Sequence, residues 1–343
     1  MIPAAFSLGN PGNGITAQAR SQAAALQRRG HGIVFMNPWE YRSLDSLDVV
    51  QFFLGGFGTY GIEGILSATS RTLLVMAPII DSNEPNWKYR AAVAAGSTFG
   101  RIFTVPGVLA RQARASDLVV CRSEHERNRV IEALCVDPPR AVVVLNGGDV
   151  PETSPEMMHK VKESYGLPDR FVLNVSAYTQ ERKNALRLAQ AVERLGLPLV
   201  LAGHDESTPI GRKLEELARR NPALRLLGFV DRATRDALYG LCHVFALPSY
   251  HEGTGLAALE AGAAGARIVI TRNGGPPDYF RKWAQYVDPL DIRQLCNAIE
   301  HEWKQAENHE LATHIRTSLS WDASAQSLEQ AYRSGLGRKG QCA

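Results

Sequence analysis

Two glutamates with seven residues between them, Glu252 and Glu260, lie in the stretch of this sequence whose residue types are best suited to chemistry. The stretch reads PSYHEGTGLAALEAGAAG: a β-rich run ends at Leu247, a glycine-rich loop follows, and a helical segment begins. Glycines at 253 and 255 allow a ligand close to the backbone, and the first N–H groups of a helix attract an anion such as phosphate. We predict that the two acids face one cavity at different depths and bind hydroxyl-rich groups on either side of a diphosphate.

The elements that must position these glutamates follow from the alternation of β-rich and helical segments along the chain. In the second half, β-rich runs lie at 171–175, 199–202, 224–227, 244–247 and 267–271, and helical segments lie at 185–195, 211–221, 232–240 and 255–264. The first half has a helical segment at 15–29 and β-rich runs at 3–8, 32–36, 48–53, 72–76, 118–121 and 141–145. This order predicts parallel sheets with crossover helices, and it predicts ligands at the carboxyl ends of the strands.

The length of 343 residues exceeds what one hydrophobic core usually supports, so we expect two domains with a cleft between them. The alternation breaks at Pro151 to Pro155 and restarts after a charged helical segment at 156–165. These observations predict one domain over 1–160 and a second over 168–320.

The composition argues against several classes of protein. A formal charge of +3 is too weak to indicate a nucleic-acid partner, which needs a concentrated basic face. The five cysteines are scattered and form no pair with metal-ligand spacing, which predicts a reducing compartment and no structural zinc. The sequence has neither a signal peptide nor a run of eighteen apolar residues, so we expect a cytoplasmic protein, with peripheral membrane attachment left open.

The glutamate spacing resembles that of family 4 of the retaining glycosyltransferases, which have the GT-B fold. Further segments look like landmarks of that family in its own order: NVSAYTQERKN (174–184), LAGHD (201–205), LLGFVDRATRDALY (226–239), ITRNGGPPDYF (270–280) and SWDASAQSLEQAYRS (320–334). In the first half, ASDLVVCRSEHERNRV and VVVLNGGDV look like the end of its acceptor domain. The resemblance therefore covers nearly the whole chain and is weakest before residue 115.

This resemblance implies an α/β protein of the GT-B fold, with two Rossmann-like doubly wound domains facing a cleft. The domain at 1–160 would bind the acceptor, the domain at 168–320 would bind a nucleotide-diphosphate sugar, and a helix at about 321–334 would pack back on the first domain. The activity implied is transfer of a sugar, with retention of configuration, to a glycan, a glycolipid or a small molecule. No metal or resident cofactor is implied, because the nucleotide sugar is a co-substrate, and the sequence has no Asp-x-Asp motif.

The resemblance also implies roles for individual residues. Glu260 would bind the ribose hydroxyls, Glu252 the transferred sugar, and Lys183 the diphosphate. The other residues that it brings to the donor or the reaction are Arg182, His251, Thr254, Gly255, Leu256, Phe229, Val230, Gly203 and, from the first domain, Gly12, Asn13 and Gly14. Charge on the departing diphosphate must be stabilised as it forms, and Lys183 and the helix N-terminus would supply that field.

Two positions depart from the family pattern. Ala177 stands six residues before Lys183, where the family has an arginine, and Arg182 is the alternative cation. The family's histidine in the first domain is missing from the segment VMAPIIDSNEP, where Asp81 is the candidate on the acceptor side. These departures leave open a non-catalytic relative that binds nucleotide or glycan. Another nucleotide-sugar enzyme, such as an epimerase, is a second alternative, which the glutamate motif disfavours. A nicotinamide enzyme is disfavoured, because GNPGNG does not follow G-x-G-x-x-G.

Simpler interpretations of single residues also remain open. A lysine that precedes a helix, as Lys183 does, is often a solvated surface residue, and a loop histidine such as His251 often only packs. The segment 85–116 has basic residues and no acidic one, interleaved with aromatic and aliphatic residues; the basic residues are Lys88, Arg90, Arg101, Arg111 and Arg114. That pattern predicts contact with an anionic lipid surface or a lipid-linked acceptor, and a buried helix pair with a solvated basic rim is the alternative.

Overall fold

The structure, a computed structural model, describes residues 2–3, 14–36, 46–56, 71–98, 104–203 and 208–342. The chain forms two compact units: unit 1 comprises Met1–Gly147 and Trp321–Ala343, and unit 2 comprises Gly148–Ser320. The described elements of unit 1 are β1 (Ile2–Pro3), α1 (Gly14–Arg28), β2 (Val49–Phe53), β3 (Leu73–Ala77), α2 (Asn86–Thr98), α3 (Val105–Ala115), β4 (Leu118–Cys121), α4 (Glu124–Glu132) and β5 (Ala141–Val143).

The described elements of unit 2 are α5 (Pro155–Ser164), β6 (Val172–Val175), α6 (Ala185–Leu195), β7 (Leu199–Ala202), α7 (Pro209–Arg220), β8 (Leu224–Leu226), α8 (Arg232–Leu241), β9 (Val244–Leu247), α9 (Leu256–Ala263), β10 (Arg267–Thr271), α10 (Pro276–Phe280), β11 (Ala284–Val287), α11 (Ile292–Trp303) and α12 (His309–Ser318). The chain then returns to unit 1 with α13 (Trp321–Cys342). Helix α5 belongs to unit 2, so the division comes earlier in the sequence than residue 160.

The sheet of unit 2 is parallel, with the strand order β11-β10-β9-β6-β7-β8. Strand β6 pairs with β7 on one side and with β9 on the other. The direction of winding therefore reverses between β6 and β9, as in doubly wound dinucleotide-binding sheets. In such sheets the crevice at the carboxyl ends of these two central strands is the usual ligand position.

Burial explains why the central strands are nearly continuous apolar runs. Each residue of β7 and β9 is buried, because helices cover both faces of the sheet. Helix α6 contributes Leu188 and Val192 to this core, and it ends at Gly196, whose φ of 65° suits the left-handed conformation of a helix C-terminus. The predicted helices and strands of this unit are confirmed with small shifts at their ends.

In unit 1 the described strands pair in parallel in their chain order, β1-β2-β3-β4-β5. Phe52, Met76 and Leu109 lie in the main cluster of the core. Helix α13 packs against α1 and β3. Its Lys339 Nζ lies 2.7 Å from Asp117 Oδ2, an ion pair that ties the end of the chain to the start of β4.

Two predictions from the hydrophobic pattern differ from the structure. The β-rich run Gly32–Met36 is not a strand, and Val34, Phe35 and Met36 are exposed, so most of the run lacks the burial that a core strand has. Strand β11 and helices α11 and α12 were not predicted. Strand β11 reads AQYV and includes a polar glutamine, so it lacks the continuous apolar run that marked β7 and β9.

Candidate functional site

The loop that follows β6 brings Lys183 to the carboxyl end of the sheet. Residues Glu181–Lys183 form one turn of 3-10 helix, and Asn184 then adopts the left-handed conformation with φ of 58°. The Asn184 side-chain amide donates to the carbonyls of Pro248, at 2.9 Å, and Pro289, at 2.8 Å. One buried asparagine therefore joins the loops after β6, β9 and β11, and it fixes the backbone beside Lys183.

The loop that follows β9 is held on both sides. The Tyr250 N–H donates to the Arg182 carbonyl at 2.9 Å, and the Glu252 N–H donates to the Asn273 carbonyl at 3.1 Å. The Gly275 N–H in turn donates to the Glu252 carbonyl at 3.0 Å. The segment that carries Glu252 is therefore clamped between the loops after β6 and β10.

Gly274 makes that clamp possible. Its φ is +102°, and a Cβ atom at this position would lie 2.0 Å from the Glu252 carbonyl oxygen and 2.9 Å from the His251 ring. No side chain fits such a gap, so the chain requires glycine here.

These constraints bring together two charged groups, Lys183 and Glu252, for which the family resemblance implies contact with the donor. Lys183 Nζ lies 2.7 Å from Glu252 Oε1, and the exposed fractions of the two side chains are 12% and 11%. An ion pair of this kind is stable only with good geometry, because both charges have lost most of their water. Lys183 is therefore not a solvated surface lysine, and its ammonium group is fixed beside the carboxylate.

Helix α9 begins next to this pair. Gly255 is its N-cap, with φ of 82°, and its carbonyl accepts from the N–H groups of Ala258 and Leu259. Earlier N–H groups such as that of Leu256 have no helical carbonyl to bind, and the helix dipole adds positive potential there. The Thr254 hydroxyl donates to the Tyr279 hydroxyl at 3.3 Å, so this side chain supports the loop from within the core.

Glu260 lies one turn into α9 and is largely buried. Its Oε2 atom is 3.9 Å from Nε of Arg235 on α8. Burial raises the pKa of Glu260, the positive charge of Arg235 opposes that rise, and the carboxylates of Asp149 and Asp236 add to it. The ionised form of Glu260 is therefore favoured first by the Arg235 cation and then by the Tyr239 hydroxyl.

The other predicted donor residues differ in exposure. Phe229, just after β8, has 76% of its surface exposed, which leaves the ring available for stacking, and Val230 is half-buried. Gly203 follows β7 with φ of +131°, and a Cβ there would lie 2.0 Å from the Ser176 carbonyl oxygen. His251 is buried against Gly274. Arg182 is exposed, and its Nε donates to Gln180 Oε1 at 3.1 Å.

Of the residues predicted from the first domain, Gly12 and Asn13 lie outside the described residues, and Gly14 is the first residue of α1. Asp81 follows β3, and its Oδ1 lies 2.9 Å from Nη2 of Arg122, the residue that follows β4. Arg122 also pairs with the buried Glu126 at 3.0 Å. Asp81 therefore belongs to an ionic network at the carboxyl edge of the sheet of unit 1.

Sequence reasoning missed several residues that hold these sites, namely Asn184, Gly274, Arg235, Arg122 and Glu126. Asn184 and Gly274 lie within segments that resemble the glycosyltransferase family, so their side-chain types were the available signal. Arg235, Arg122 and Glu126 also lie within such segments, but a charged residue is usually solvated, so the residue type alone did not indicate a buried partner.

Within the described part of the chain, no group of three His, Cys, Asp or Glu side chains is arranged to hold a metal ion. None of the helices in that part combines the length and the apolar character needed to cross a bilayer.

Comparison with known proteins finds a match within unit 2. Residues 169–304 match the family model described as glycosyl transferases group 1. The matched segment begins just before β6 and ends just after α11, so it contains Lys183 and both glutamates.

Curated relatives agree with this match. The chain is 27% identical over 250 residues to a D-inositol 3-phosphate glycosyltransferase from Corynebacterium kroppenstedtii, which covers 66% of this chain and 54% of the relative. It is 30% identical over 223 residues to a serotype-specific mannosyltransferase, WbdA, from Escherichia coli, which covers 60% of this chain and 27% of that protein. The chain thus spans about half the length, or less, of these relatives.

Solved structures extend the likeness to nearly the whole chain. A sucrose-phosphate synthase from Thermosynechococcus elongatus has a TM-score of 0.71 at 16% identity, over 95% of this chain and 94% of that one. A glycosyltransferase from Rickettsia africae has a TM-score of 0.69 at 15% identity, over 95% and 83%. Anabaena HepE in complex with UDP has a TM-score of 0.59 at 18% identity, over 87% and 77%. The chain has the fold of the GT-B glycosyltransferases, so the predicted fold class is confirmed.

Proposed function

We propose that this chain is a glycosyltransferase that moves a sugar from a nucleotide-diphosphate sugar to an acceptor, and that unit 2 binds the donor. The observation that carries the proposal is the Lys183–Glu252 pair, 2.7 Å apart, at the point where the sheet of unit 2 reverses its winding. The start of α9 lies in the same loop as Glu252, and the family match covers all of these residues. A cation, a carboxylate and a helix N-terminus together suit a sugar joined to a diphosphate.

Each residue has a distinct role in this proposal. Glu260 accepts hydrogen bonds from the ribose hydroxyls, and the exposed Phe229 ring, with Val230, lies beside the base. Backbone N–H groups at Thr254, Gly255 and Leu256 bind the phosphates, and Glu252 binds the transferred sugar. The UDP complex of HepE, a protein of the same fold, supports a nucleoside diphosphate as the bound group.

In the proposed reaction, the bond between the anomeric carbon and the diphosphate oxygen breaks, and its electron pair stays on the phosphate. The acceptor hydroxyl oxygen forms the new bond to the anomeric carbon, and its proton passes to the departing phosphate. Lys183 stabilises the charge that develops on the leaving group, and its contact with Glu252 holds it in place before the donor arrives. Retention of configuration follows from the family resemblance and is part of the proposal.

For the acceptor we propose unit 1, with Asp81 on the acceptor side, and a glycan, glycolipid or small glycoside as the acceptor class. Surface polysaccharide synthesis in the cytoplasm, with or without peripheral membrane contact, fits such acceptors. We also propose that the reaction needs no metal. Transfer should therefore survive excess chelator, and complete loss that magnesium or manganese restores would contradict this part.

One observation favours a second candidate, a non-catalytic relative that binds nucleotide or glycan. Ala177 stands where the family has an arginine, and the Arg182 side chain is exposed and bonded to Gln180. Lys183 would then be the main cation on the diphosphate, which could support binding without efficient transfer.

A thermal-shift screen against uridine, guanosine and adenosine diphosphates and their sugars tests the proposal. We expect one base to raise the melting temperature selectively, because a ligand that binds the folded state stabilises it by mass action. Glu260→Gln should abolish that selective shift. Hydrolysis or transfer of the selected donor sugar identifies an enzyme, whereas a shift without turnover identifies the non-catalytic relative.

A further inference from the structure

Arg235 is the charged neighbour of Glu260 that no sequence pattern indicated. It lies on α8 with its side chain largely buried, and its Nη2 atom is 3.2 Å from Oδ1 of the buried Asp236. Its guanidinium lies over the Tyr239 ring, 5.9 Å from the ring centroid. Tyr239 is itself fixed by an edge-to-face contact with Phe245 of β9, with ring centroids 5.9 Å apart. Arg235 is therefore held from two directions.

The held guanidinium faces the carboxylate of Glu260. Nε of Arg235 lies 3.9 Å from Glu260 Oε2, which is close enough for a strong charge interaction and leaves room for the carboxylate oxygens to bind other groups. Asp236 accepts hydrogen bonds from the Arg235 guanidinium, so Arg235 does not need direct contact with Glu260 to pair its charge. A second arginine on α8, Arg232, also reaches Asp236, at 3.6 Å, but it pairs with Asp149 rather than with Glu260.

The other groups around Glu260 determine how much its ionisation depends on Arg235. Asp149 and Asp236 are negative, and their charges disfavour a third carboxylate. The Tyr239 hydroxyl is neutral, because burial and the nearby Glu260 charge raise its pKa well above the ordinary value. As a neutral donor it lowers the pKa of Glu260, by less than the Arg235 charge does. On the other side, α12 presents the apolar Leu311 and Ile315 to α9. Among these described neighbours, the positive charge is that of Arg235.

We propose that Arg235 is a positioning residue of the nucleotide site, which holds the Glu260 carboxylate ionised and oriented so that it can accept both hydroxyls of the donor ribose. This inference rests on the proposed function. An ionised carboxylate offers two oxygens to a cis-diol, whereas a protonated one must donate from one of them. Arg235 thereby adds to the preference for ribose over 2′-deoxyribose without touching the ligand.

The sign of the pH dependence follows from these charges. Burial raises the pKa of Glu260 and Arg235 lowers it, so the loss of Arg235 moves the pKa further upward. Nucleotide binding that needs the ionised form is then lost at a higher pH as the solution is acidified. A variant that only loosened the fold would weaken binding at all pH values without moving this midpoint.

The experiment measures binding of UDP and 2′-deoxy-UDP by calorimetry between pH 5 and pH 8, or of the guanosine pair if the screen selects guanosine. The proteins are the wild type, Arg235→Met, Arg235→Lys, Glu260→Gln and the matched control Arg232→Met from the same helix. We expect Arg235→Met to weaken UDP by about tenfold, the effect of a lost charged contact, and to reduce the preference for ribose. The pH at which Arg235→Met loses half of its UDP binding on acidification should be higher than in the wild type. Arg235→Lys should restore much of the preference for ribose over 2′-deoxyribose. Arg232→Met should resemble the wild type in both measurements.

The ratio of the two affinities is measured within each variant, so it does not depend on the fraction of protein that folds. If Glu260→Gln is impaired while Arg235→Met behaves like Arg232→Met, this inference is wrong and the proposed function stands. If Glu260→Gln binds UDP and 2′-deoxy-UDP as the wild type does, the ribose role of Glu260 fails, and the inference fails with it.

Discussion

The loops at the carboxyl ends of the strands are held in place differently in the two sheets. In unit 2, the loops after β6, β9 and β10 are shaped by backbone conformation, with Asn184 left-handed and Gly274 at φ of +102°. In unit 1, the loop after β3 has Ile79 at φ of 52°, a conformation that is strained for a β-branched residue. Strain of this kind persists only where the surroundings hold the backbone.

Helix α4 stabilises the loop after β3 in unit 1. The buried Glu126 carboxylate accepts from the Ile80 N–H at 2.7 Å and from the Arg122 N–H at 2.7 Å. Arg129 donates to the carbonyls of Ser82 and Glu84, each at 2.6 Å. In unit 2 a glycine and a left-handed asparagine set the backbone conformation of the loops, and the asparagine side chain joins them. In unit 1 the loop after β3 is held instead by buried charged side chains. The difference predicts which substitutions damage stability and which damage function.

The largest effect should come from Glu126 in unit 1. Glu126→Gln leaves the buried Arg122 with Asp81 as its remaining partner in the network, and we expect a loss of about 3–5 kcal/mol in the free energy of unfolding. Asp81→Asn is the matched control, because Asp81 binds the same arginine but has 46% of its side chain exposed. It should cost about 1 kcal/mol or less, since exposed pairs contribute little. Denaturant unfolding of both variants measures the difference, and equal losses would mean that burial does not distinguish the two acids.

The next effect concerns chemistry in unit 2. Lys183→Ala removes the proposed cation on the leaving diphosphate, and we expect turnover to fall by about 10²–10³-fold, with a smaller change in donor affinity. Arg182→Ala, the adjacent exposed arginine, should change turnover by less than about threefold. Steady-state kinetics of both variants with the selected donor decide this. Equal losses in kcat and in donor affinity for Lys183→Ala would indicate that the lysine only binds.

A substitution at Gly274 tests how much the backbone conformation of the loop after β10 contributes to the stability of unit 2. Gly274→Ala places a Cβ 2.0 Å from the Glu252 carbonyl oxygen, and we expect it to cost about 2–4 kcal/mol of stability and to impair donor binding. Gly196→Ala is the control, because Gly196 also has a positive φ, of +65°, but a Cβ there meets nothing within 4 Å. It should cost about 1 kcal/mol. Thermal unfolding and donor titration of the pair separate crowding from conformational strain, and similar behaviour of the two would rule out crowding.

The smallest expected effect concerns the surface of unit 1. Trp87 on α2 is 66% exposed and Val105 on α3 is 49% exposed, which suits shallow contact with an anionic bilayer. Lys88 pairs with Glu84 at 2.6 Å, and Arg114 donates to the Leu134 carbonyl at 2.8 Å, so these two are already engaged. Arg101 lies outside the described residues.

We therefore expect Trp87→Ala with Arg90→Gln to reduce co-sedimentation with anionic vesicles at low salt by a few-fold, about 1 kcal/mol for the charge. Lys213→Gln, an exposed lysine of unit 2, serves as the control. If the double variant and the control bind equally, or if the wild type ignores the vesicles, the acceptor is more consistent with a soluble molecule.

The sequence by itself determined the alternation of elements, the glutamate pair and the resemblance of unit 2 to glycosyltransferases. These features depend on local order: apolar runs of strand length, a glycine loop before a helix, and seven residues between two acids. Boundaries in unit 2 agreed closely for the same reason, since Leu199–Ala202 and Val244–Leu247 are apolar runs with clear ends. In unit 1 the run Gly32–Met36 has the composition of a strand and is not one, because pairing with a neighbouring strand decides whether such a run forms a strand.

Only the tertiary structure decided which charged residues act together. Lys183 and Glu252 are far apart in the sequence, and they meet because β6 and β9 are neighbours at the reversal of the sheet. Arg235 meets Glu260 because α8 packs beside α9, and Arg122 meets Asp81 because β3 and β4 end side by side. A single charged residue has no periodic pattern that reports its partner. Its role depends on distance and burial, and those exist only once the strands have paired.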